Sequence, residues 1–408
     1  MAGARQRDTR VLIYSHDSFG LGHLRRCREI AHHLVQGESD LSVLIISGSP
    51  IIGSFDFRSR VDFIRIPGVI KLRNGEYTSL NLPIAVEQTV ALRASIIEHT
   101  AEIFEPDIFL VDKEPLGLRG EVEGTLRYLS EKGVPCILGL RDVMDGPELL
   151  AAEWLRKQAV PALESYYDQI WVYGLPQICN PLEGIDLPDS VVKRITFTGY
   201  LRRTLPQVAS SALPEAIPSP YILVTVGGGG DGEAIIDWVL RAYEQDATIP
   251  YPSLLVLGPF MGGEHQNEFQ QRAGRLDKVE VITFDAHMES LMAEAAGVIC
   301  MGGYNTFCEL LSFDKRAVIV PRTEPRLEQY IRAKRAQDLG LSRMLLDDGA
   351  RDAADMATAI RNLPQQPLPS ESVIPGLLDG PENVTKLARQ WFARTGRPQL
   401  SLAAQQQQ

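Results

Sequence analysis

The chain has 408 residues, 44% hydrophobic and 23% charged, which is enough apolar mass for two cores and excludes a disordered, collagen-like or coiled-coil protein. Its 41 basic residues are outnumbered by 52 acidic ones, for a net charge of −11, so the overall field offers nothing to a nucleic acid, and no nucleic-acid partner is expected. Local cations such as Arg25, Arg26 and Arg28 could still meet a small phosphate ester.

The cysteines, at 27, 136, 179, 300 and 308, form no CxxC pair and are odd in number, which fits neither a disulfide framework nor a zinc site. Residues 1–10 run directly into a short apolar stretch at 11–14, and no run of 18 apolar residues follows. Neither a secretory leader nor a membrane span is expected, and the expected location is the cytoplasm.

In chain order, residues 11–15 read as a buried strand, followed by a glycine-containing turn and a helix over 24–35. Strands are expected at 41–47 and 63–66, a helix over 82–104, a strand at 108–111, a helix over 119–132 and a strand at 135–140. A helix over 151–167 and strands at 169–173 and 194–198 close this half. Residues 204–220 hold four prolines among small polar residues and read as a linker. The alternation then restarts with a strand at 221–226, a helix over 233–245 and strands at 253–257, 279–284, 297–300 and 317–320. A last helix is expected over 381–392, and residues 405–408 are expected to fray.

Strand and helix in alternation imply parallel sheets wrapped by helices, here as two separate doubly wound α/β units. The expected division is a first unit over 1–203, a linker over 204–220, a second unit over 221–380, a terminal helix over 381–396 and a tail over 397–408. A ligand then belongs in the cleft between the units, near the carboxyl ends of both sheets.

Three segments carry chemistry. The first strand ends in a turn holding Gly20, Gly22 and His23. With no third glycine a dinucleotide site is a weak reading, whereas a histidine at a helix start beside a cleft can take a proton from a hydroxyl. Packing or capping is the bland alternative for His23. Asp112, at the carboxyl end of a strand on the same rim, could orient that imidazole, with Asp142 as a rival and a helix cap as the alternative for either. In the second half, Gly227, Gly228, Gly229 and Gly230 separate a strand from a helix, where main-chain N–H groups can approach a diphosphate. The densest segment runs from Gly302, Gly303, Asn305, Thr306 and Glu309 to Glu328 and Gln329. Gly302 and Gly303 open another helix toward the cleft, Glu309 could accept both hydroxyls of a ribose, and Glu328 and Gln329 suit sugar hydroxyls. A lone glutamate on a helix is more often a solvated face; the ordered series argues against that here.

On these residues the sequence resembles the GT-B glycosyltransferases, most closely the MurG-like group and related bacterial UDP-sugar transferases, over nearly its whole length. The resemblance implies two Rossmann-like domains facing each other across a cleft. It assigns His23 as catalytic base and Asp112 as its partner, and it places Arg202 near the nucleotide. Phe284 and Asp285 would hold the base, Gly303, Asn305 and Thr306 the diphosphate, Glu309 the ribose, and Glu328 and Gln329 the donor sugar. The terminal helix would cross back onto the first domain. Met301 stands where many plant-type relatives have a diphosphate-binding histidine, and Gly229 where the MurG-like loop has a serine, so backbone N–H groups would carry the phosphates. The segment from Asp112 through Lys113 and Glu114 departs from the MurG acceptor loop.

The resemblance thus implies inverting transfer from a nucleotide sugar, a UDP-sugar by preference, to a hydroxyl acceptor that the sequence does not name. No DxD sequence occurs, and neither a metal nor a cofactor is expected. Peripheral membrane contact through the first unit is compatible with the sequence. Three alternatives stand beside this reading. The segment from Gly20 to Cys27 also resembles the UDP-sugar hydrolase of pseudaminic acid synthesis, with water in place of the acceptor. A sugar-nucleotide epimerase shares the architecture, and a non-catalytic sugar-nucleotide-binding protein could use the same fold.

Overall fold

A computed structural model of the chain describes residues 8–16, 22–71, 77–205, 217–285 and 287–394. Gly20, residues 206–216 of the expected linker and the tail over 397–408 lie outside the described residues. The first unit contains strands β1 (Thr9–Ser15), β2 (Leu41–Ser47), β3 (Val61–Arg65), β4 (Val69–Lys71), β5 (Tyr77–Ser79), β6 (Ile108–Asp112), β7 (Cys136–Arg141), β8 (Gln169–Tyr173) and β9 (Ile195–Phe197). Its helices are α1 (Gly22–Gly37), α2 (Val86–Phe104), α3 (Glu123–Glu131), α4 (Pro147–Arg156), α5 (Ala159–Tyr166) and α6 (Asp189–Val192). The second unit contains β10 (Ile222–Thr225), α7 (Glu233–Gln245), β11 (Ser253–Val256), α8 (Gly263–Ala273), β12 (Val279–Ile282) and α9 (Met288–Glu294). It continues with β13 (Gly297–Cys300), α10 (Tyr304–Ser312), β14 (Ala317–Ile319), α11 (Glu328–Asp338), β15 (Arg343–Met344) and α12 (Ala353–Asn362), and α13 (Gly380–Arg394) follows.

Each unit is built on one parallel sheet, in the orders β3-β2-β1-β6-β7-β8-β9 and β12-β11-β10-β13-β14-β15. Strands β6, β10 and β13 are buried along their whole length. Helices cover both faces of each sheet, so these strands need apolar residues at every position rather than alternate ones. Strand order reverses between β1 and β6, and again between β10 and β13. Those two switch points open a crevice at the carboxyl ends of the strands, and the ends of β7, β10 and β13 and the start of α1 line one shared cleft.

Several expected elements differ in detail. The helix expected over 82–104 begins only at Val86, because Pro83 restricts the residue before it and residues 80–85 stay irregular. The single helix expected over 151–167 is two, with Gln158 between them at φ +54°. Pro161 explains the break: it lacks the N–H a continuous helix would need there but is tolerated in the first turn of a new one. The segment expected to be helical over 119–132 starts with a short 3-10 turn at Leu118–Gly120 and becomes α3 at Glu123. The antiparallel hairpin β4–β5 and the two-residue β15 were not expected; strands this short carry no periodicity.

Helix α13 packs on α1 of the first unit. Val384, Ala388 and Phe392 are buried, and Arg389 donates to the Gly37 carbonyl at 2.8 Å. The chain enters and leaves the second unit at one crossing, where the Gly380 N–H donates to the Tyr200 carbonyl at 3.2 Å. A Cβ on Gly380 would lie 2.4 Å from that oxygen, so this contact requires glycine. Among the described residues, no helix is long and apolar enough to cross a membrane.

Candidate active site

On the first unit's side, His23 sits in the first turn of α1 and Asp112 ends β6. The switch point puts the two facing each other, with His23 Nδ1 2.5 Å from Asp112 Oδ2. Arg26 lies three residues along the same helix face and grips the carboxylate twice, Nε on Oδ1 at 2.7 Å and Nη2 on Oδ2 at 2.8 Å. Burial alone would raise the Asp112 pKa, but Arg26 and then His23 outweigh it and hold the carboxyl at about 2. Burial pushes the His23 imidazole below its ordinary 6.5 against the upward pull of Asp112. The imidazole is therefore neutral at pH 7, donating its Nδ1 proton to Asp112. Its lone pair is then on Nε2, and the partly exposed ring lines the cleft. Asp142, the rival orienter, is fully buried elsewhere: it takes two bonds from Arg332 of α11, at 2.7 and 2.6 Å, and one from the Tyr200 hydroxyl at 2.7 Å.

On the second unit's side, Gly227 and Gly228 line the cleft, but Gly229 and Gly230 do not. A Cβ on Gly229 (φ +86°) would lie 2.2 Å from the Leu257 carbonyl oxygen, so this glycine serves the close packing of its loop on the segment after β11. Helix α7 starts beyond the glycines, with Gly232 as its N-cap. After β13, Gly303 is the N-cap of α10, and Gly303, Asn305, Thr306 and Glu309 line the cleft. Gly302 does not; its carbonyl accepts from Arg332 at 2.9 Å. The Asn305 side chain is already engaged, accepting from Arg203 at 2.7 Å and donating to the Gly22 carbonyl at 2.9 Å. It ties α10 to α1 and leaves the helix N-terminus and Thr306 to face a ligand. Gly22, Phe284 and Asp285 also line the cleft, and the Asp285 carboxylate accepts from the His287 N–H at 2.6 Å.

Glu309 is buried, and Arg25 of α1 donates to it across the cleft while also donating to Glu289 at 3.0 Å. Burial raises the Glu309 carboxyl to about 7; Arg25 opposes this, and neighbouring Glu289 adds to it. Two carboxylates thus share one guanidinium. Glu328 and Gln329 open α11. Arg322 donates to Glu328 Oε1 at 2.6 Å, and its backbone N–H donates to Gln329 Oε1 at 3.1 Å. The second oxygen of Glu328, Oε2, is buried and unpartnered. Arg202 was expected near the nucleotide but does not line the cleft: it is half-buried and pairs with Glu382 of α13. Its neighbour Arg203 points inward to Asn305 instead.

Charged cleft residues that escaped the sequence reading include Arg141, Asp231 and Arg322. Arg141 had a usable signal, since it directly follows an expected strand and so stands on the rim. Its Nε is buried without a partner. Arg25 was read only as a local cation for a phosphate ester; its pairing with Glu309 and Glu289 had no signal, because those partners come from the second unit.

Residues 221–372 match the family model of the glycosyltransferase family 28 C-terminal domain. No curated protein matches the chain. Among solved structures it is similar to MurG from Acinetobacter baumannii, at 13% identity and a TM-score of 0.56, covering 94% of this chain and 99% of that one. It is similar to a UDP-glucosyltransferase from Polygonum tinctorium capable of glucosylating indoxyl, at 13% identity and a TM-score of 0.62, over 95% and 100% of the two chains. It is also similar to a calicheamicin glycosyltransferase, at 15% identity and a TM-score of 0.59, over 96% and 99%. The chain has the GT-B fold, and within its second unit residues 221–372 match the glycosyltransferase family 28 C-terminal domain.

Proposed function

We propose that this GT-B chain works as an inverting glycosyltransferase that moves a sugar from a nucleotide sugar, a UDP-sugar by preference, to a hydroxyl acceptor. The observation that carries the reading is the His23–Asp112 pair at 2.5 Å, with the His23 ring lining the cleft that the second unit completes. Nε2 takes the acceptor hydroxyl proton as that oxygen attacks the anomeric carbon, and the bond from that carbon to the β-phosphate oxygen breaks with its electron pair. The leaving diphosphate lies against the α10 N-terminus at Gly303 and the Gly227–Gly228 backbone, where preorganised N–H groups meet the developing charge without a metal. Glu309 accepts the ribose hydroxyls, displacing Arg25, and the free oxygen of Glu328 takes a donor-sugar hydroxyl. The MurG and UDP-glucosyltransferase likenesses support a UDP donor.

Calorimetric titration of UDP, dTDP and GDP, in EDTA, tests the donor assignment. UDP binding in the wild type, weakened at least tenfold in Glu309→Ala, is the expected result. Preference for GDP or dTDP would overturn the donor, and no binding by any of the three would overturn the function.

A further inference from the structure

The segment that follows β7 docks on the start of α11. Asp142 takes two bonds from Arg332, which stands one helical turn beyond Glu328 on the same face of α11. Three residues further on, Asp145 Oδ1 accepts the N–H of Leu327, the residue before Glu328, at 3.0 Å. These bonds hold the first unit's rim across the first turn of α11. Arg141, which ends β7 beside Asp142, and Glu328 both line the cleft there, at the end where the proposed function seats the donor sugar.

Among the described residues, four arginines line the cleft. Arg25 pairs with Glu309 and Glu289, Arg26 with Asp112, and Arg322 with Glu328 and Asp231. Arg141 forms an ion pair with no carboxylate among the described residues. Its Nη2 donates to the Met144 carbonyl at 3.2 Å, and its Nε is buried without a partner. On the facing unit, Arg322 Nε and Glu328 Oε2 are buried and unpartnered as well. Burial lowers the Arg141 guanidinium to about 10, with Glu328 opposing, so it stays charged at pH 7. Asp142 neutralises Arg332 and Glu328 neutralises Arg322, while water screens the exposed Asp231. The Arg141 charge is left without a buried counterpart.

We infer that Arg141 selects the donor, and that the transferred sugar is a hexuronate whose carboxylate seats on the Arg141 guanidinium. A hexuronate carries its carboxylate on a ring carbon next to one that bears a hydroxyl. The acid takes the Arg141 Nε–H, while the neighbouring hydroxyl gives its proton to Glu328 Oε2 and accepts from Arg322 Nε. One ligand thus satisfies all three unmet atoms. A neutral hexose fills the hydroxyl positions but leaves a guanidinium charge unmatched away from water. The diphosphate is the competing anion; the proposed function already gives it the backbone N–H groups at Gly303 and Gly227–Gly228. The inference deepens that reading and rests on it.

Calorimetric titration of the full chain with UDP, UDP-glucose, UDP-glucuronate, UDP-galactose and UDP-galacturonate tests it. At least one uronate is expected to bind about tenfold or more tighter than its neutral counterpart. In Arg141→Gln that preference is expected to vanish, with UDP affinity within about twofold of the wild type and an unchanged melting temperature. Should that variant not fold, Arg141→Lys decides. It keeps the charge but not the Nε–H, and the preference is expected to fall at least about threefold; an undiminished preference would overturn the inference. Equal affinity for acid and neutral sugars in the wild type would do the same. So would a folded Arg141→Gln that loses UDP and uronate alike, which would assign Arg141 to the diphosphate. If UDP itself does not bind the wild type, the donor reading falls and this inference with it, whereas UDP binding without a uronate preference overturns the inference alone.

Discussion

As the proposed base, His23 acts only while Asp112 is ionised and Nδ1 carries the proton; Arg26 secures the first condition and Asp112 the second. A carboxyl held at about 2 against an ordinary 3.8 stabilises the fold by about 2 kcal/mol. Its folded pKa is the lower one, so this contribution is complete above pH 4 and is lost as pH falls toward 2. The His23 shift acts in the same direction: its folded pKa lies below 6.5, so the unfolded chain takes up a proton first, and acid weakens the fold there too. The acid limb of the transfer rate is accordingly expected to have an apparent pKa below 6.5. Asp112→Asn removes the partner that fixes the tautomer and is expected to slow transfer at least about 100-fold with UDP affinity retained. A rate profile against pH for both proteins checks this, and an acid limb above 6.5 would contradict it. His23 and Asp112 were legible because each stands at a strand's carboxyl end or a helix start, which the sequence marks. Arg26 was not: its role exists only once two elements 86 residues apart are brought together.

Most strands were legible, because a strand buried on both faces writes itself as an unbroken apolar run. Elements missed or misjoined were those whose signal is punctuation rather than period, such as the break before Pro161 and the three-residue strands of the hairpin. The glycine run between β10 and α7 shows the limit at this scale. All four glycines read as phosphate ligands, yet two face the cleft and Gly229 meets the Leu257 carbonyl. Gly229→Ala is expected to destabilise the fold by about 2 kcal/mol or more through its positive φ and the overlap, and to weaken UDP by displacing Gly228. Thermal unfolding with a UDP titration checks this; a wild-type melting curve would mean that the loop is not packed there.

Two doubly wound units and a cleft followed from alternation alone, but what joins the units did not. The deepest link is Asp142 with Arg332, both fully buried, from strand end to helix across the interface. Losing one partner strands a charge away from water, so Arg332→Met is expected to cost about 3–5 kcal/mol and the double change with Asp142→Asn distinctly less. Denaturant unfolding of the three variants measures the coupling; additive losses would mean the pair contributes nothing as a pair.

The crossing at Tyr200 and Gly380 has a further consequence for how the molecule is organised. Residues 8–200 and α13 make one continuous frame that owns both ends of the described chain and carries His23 and Asp112. The second unit is in effect an insert, leaving and returning through two stretches of backbone that touch at 3.2 Å. An insert with adjacent entry and exit is a cassette. Provided a replacement keeps a counterpart of Arg332 for Asp142, the second unit can be exchanged without disturbing the frame that holds His23 and Asp112, so that under the proposed function donor and acceptor preference would vary independently within one chain.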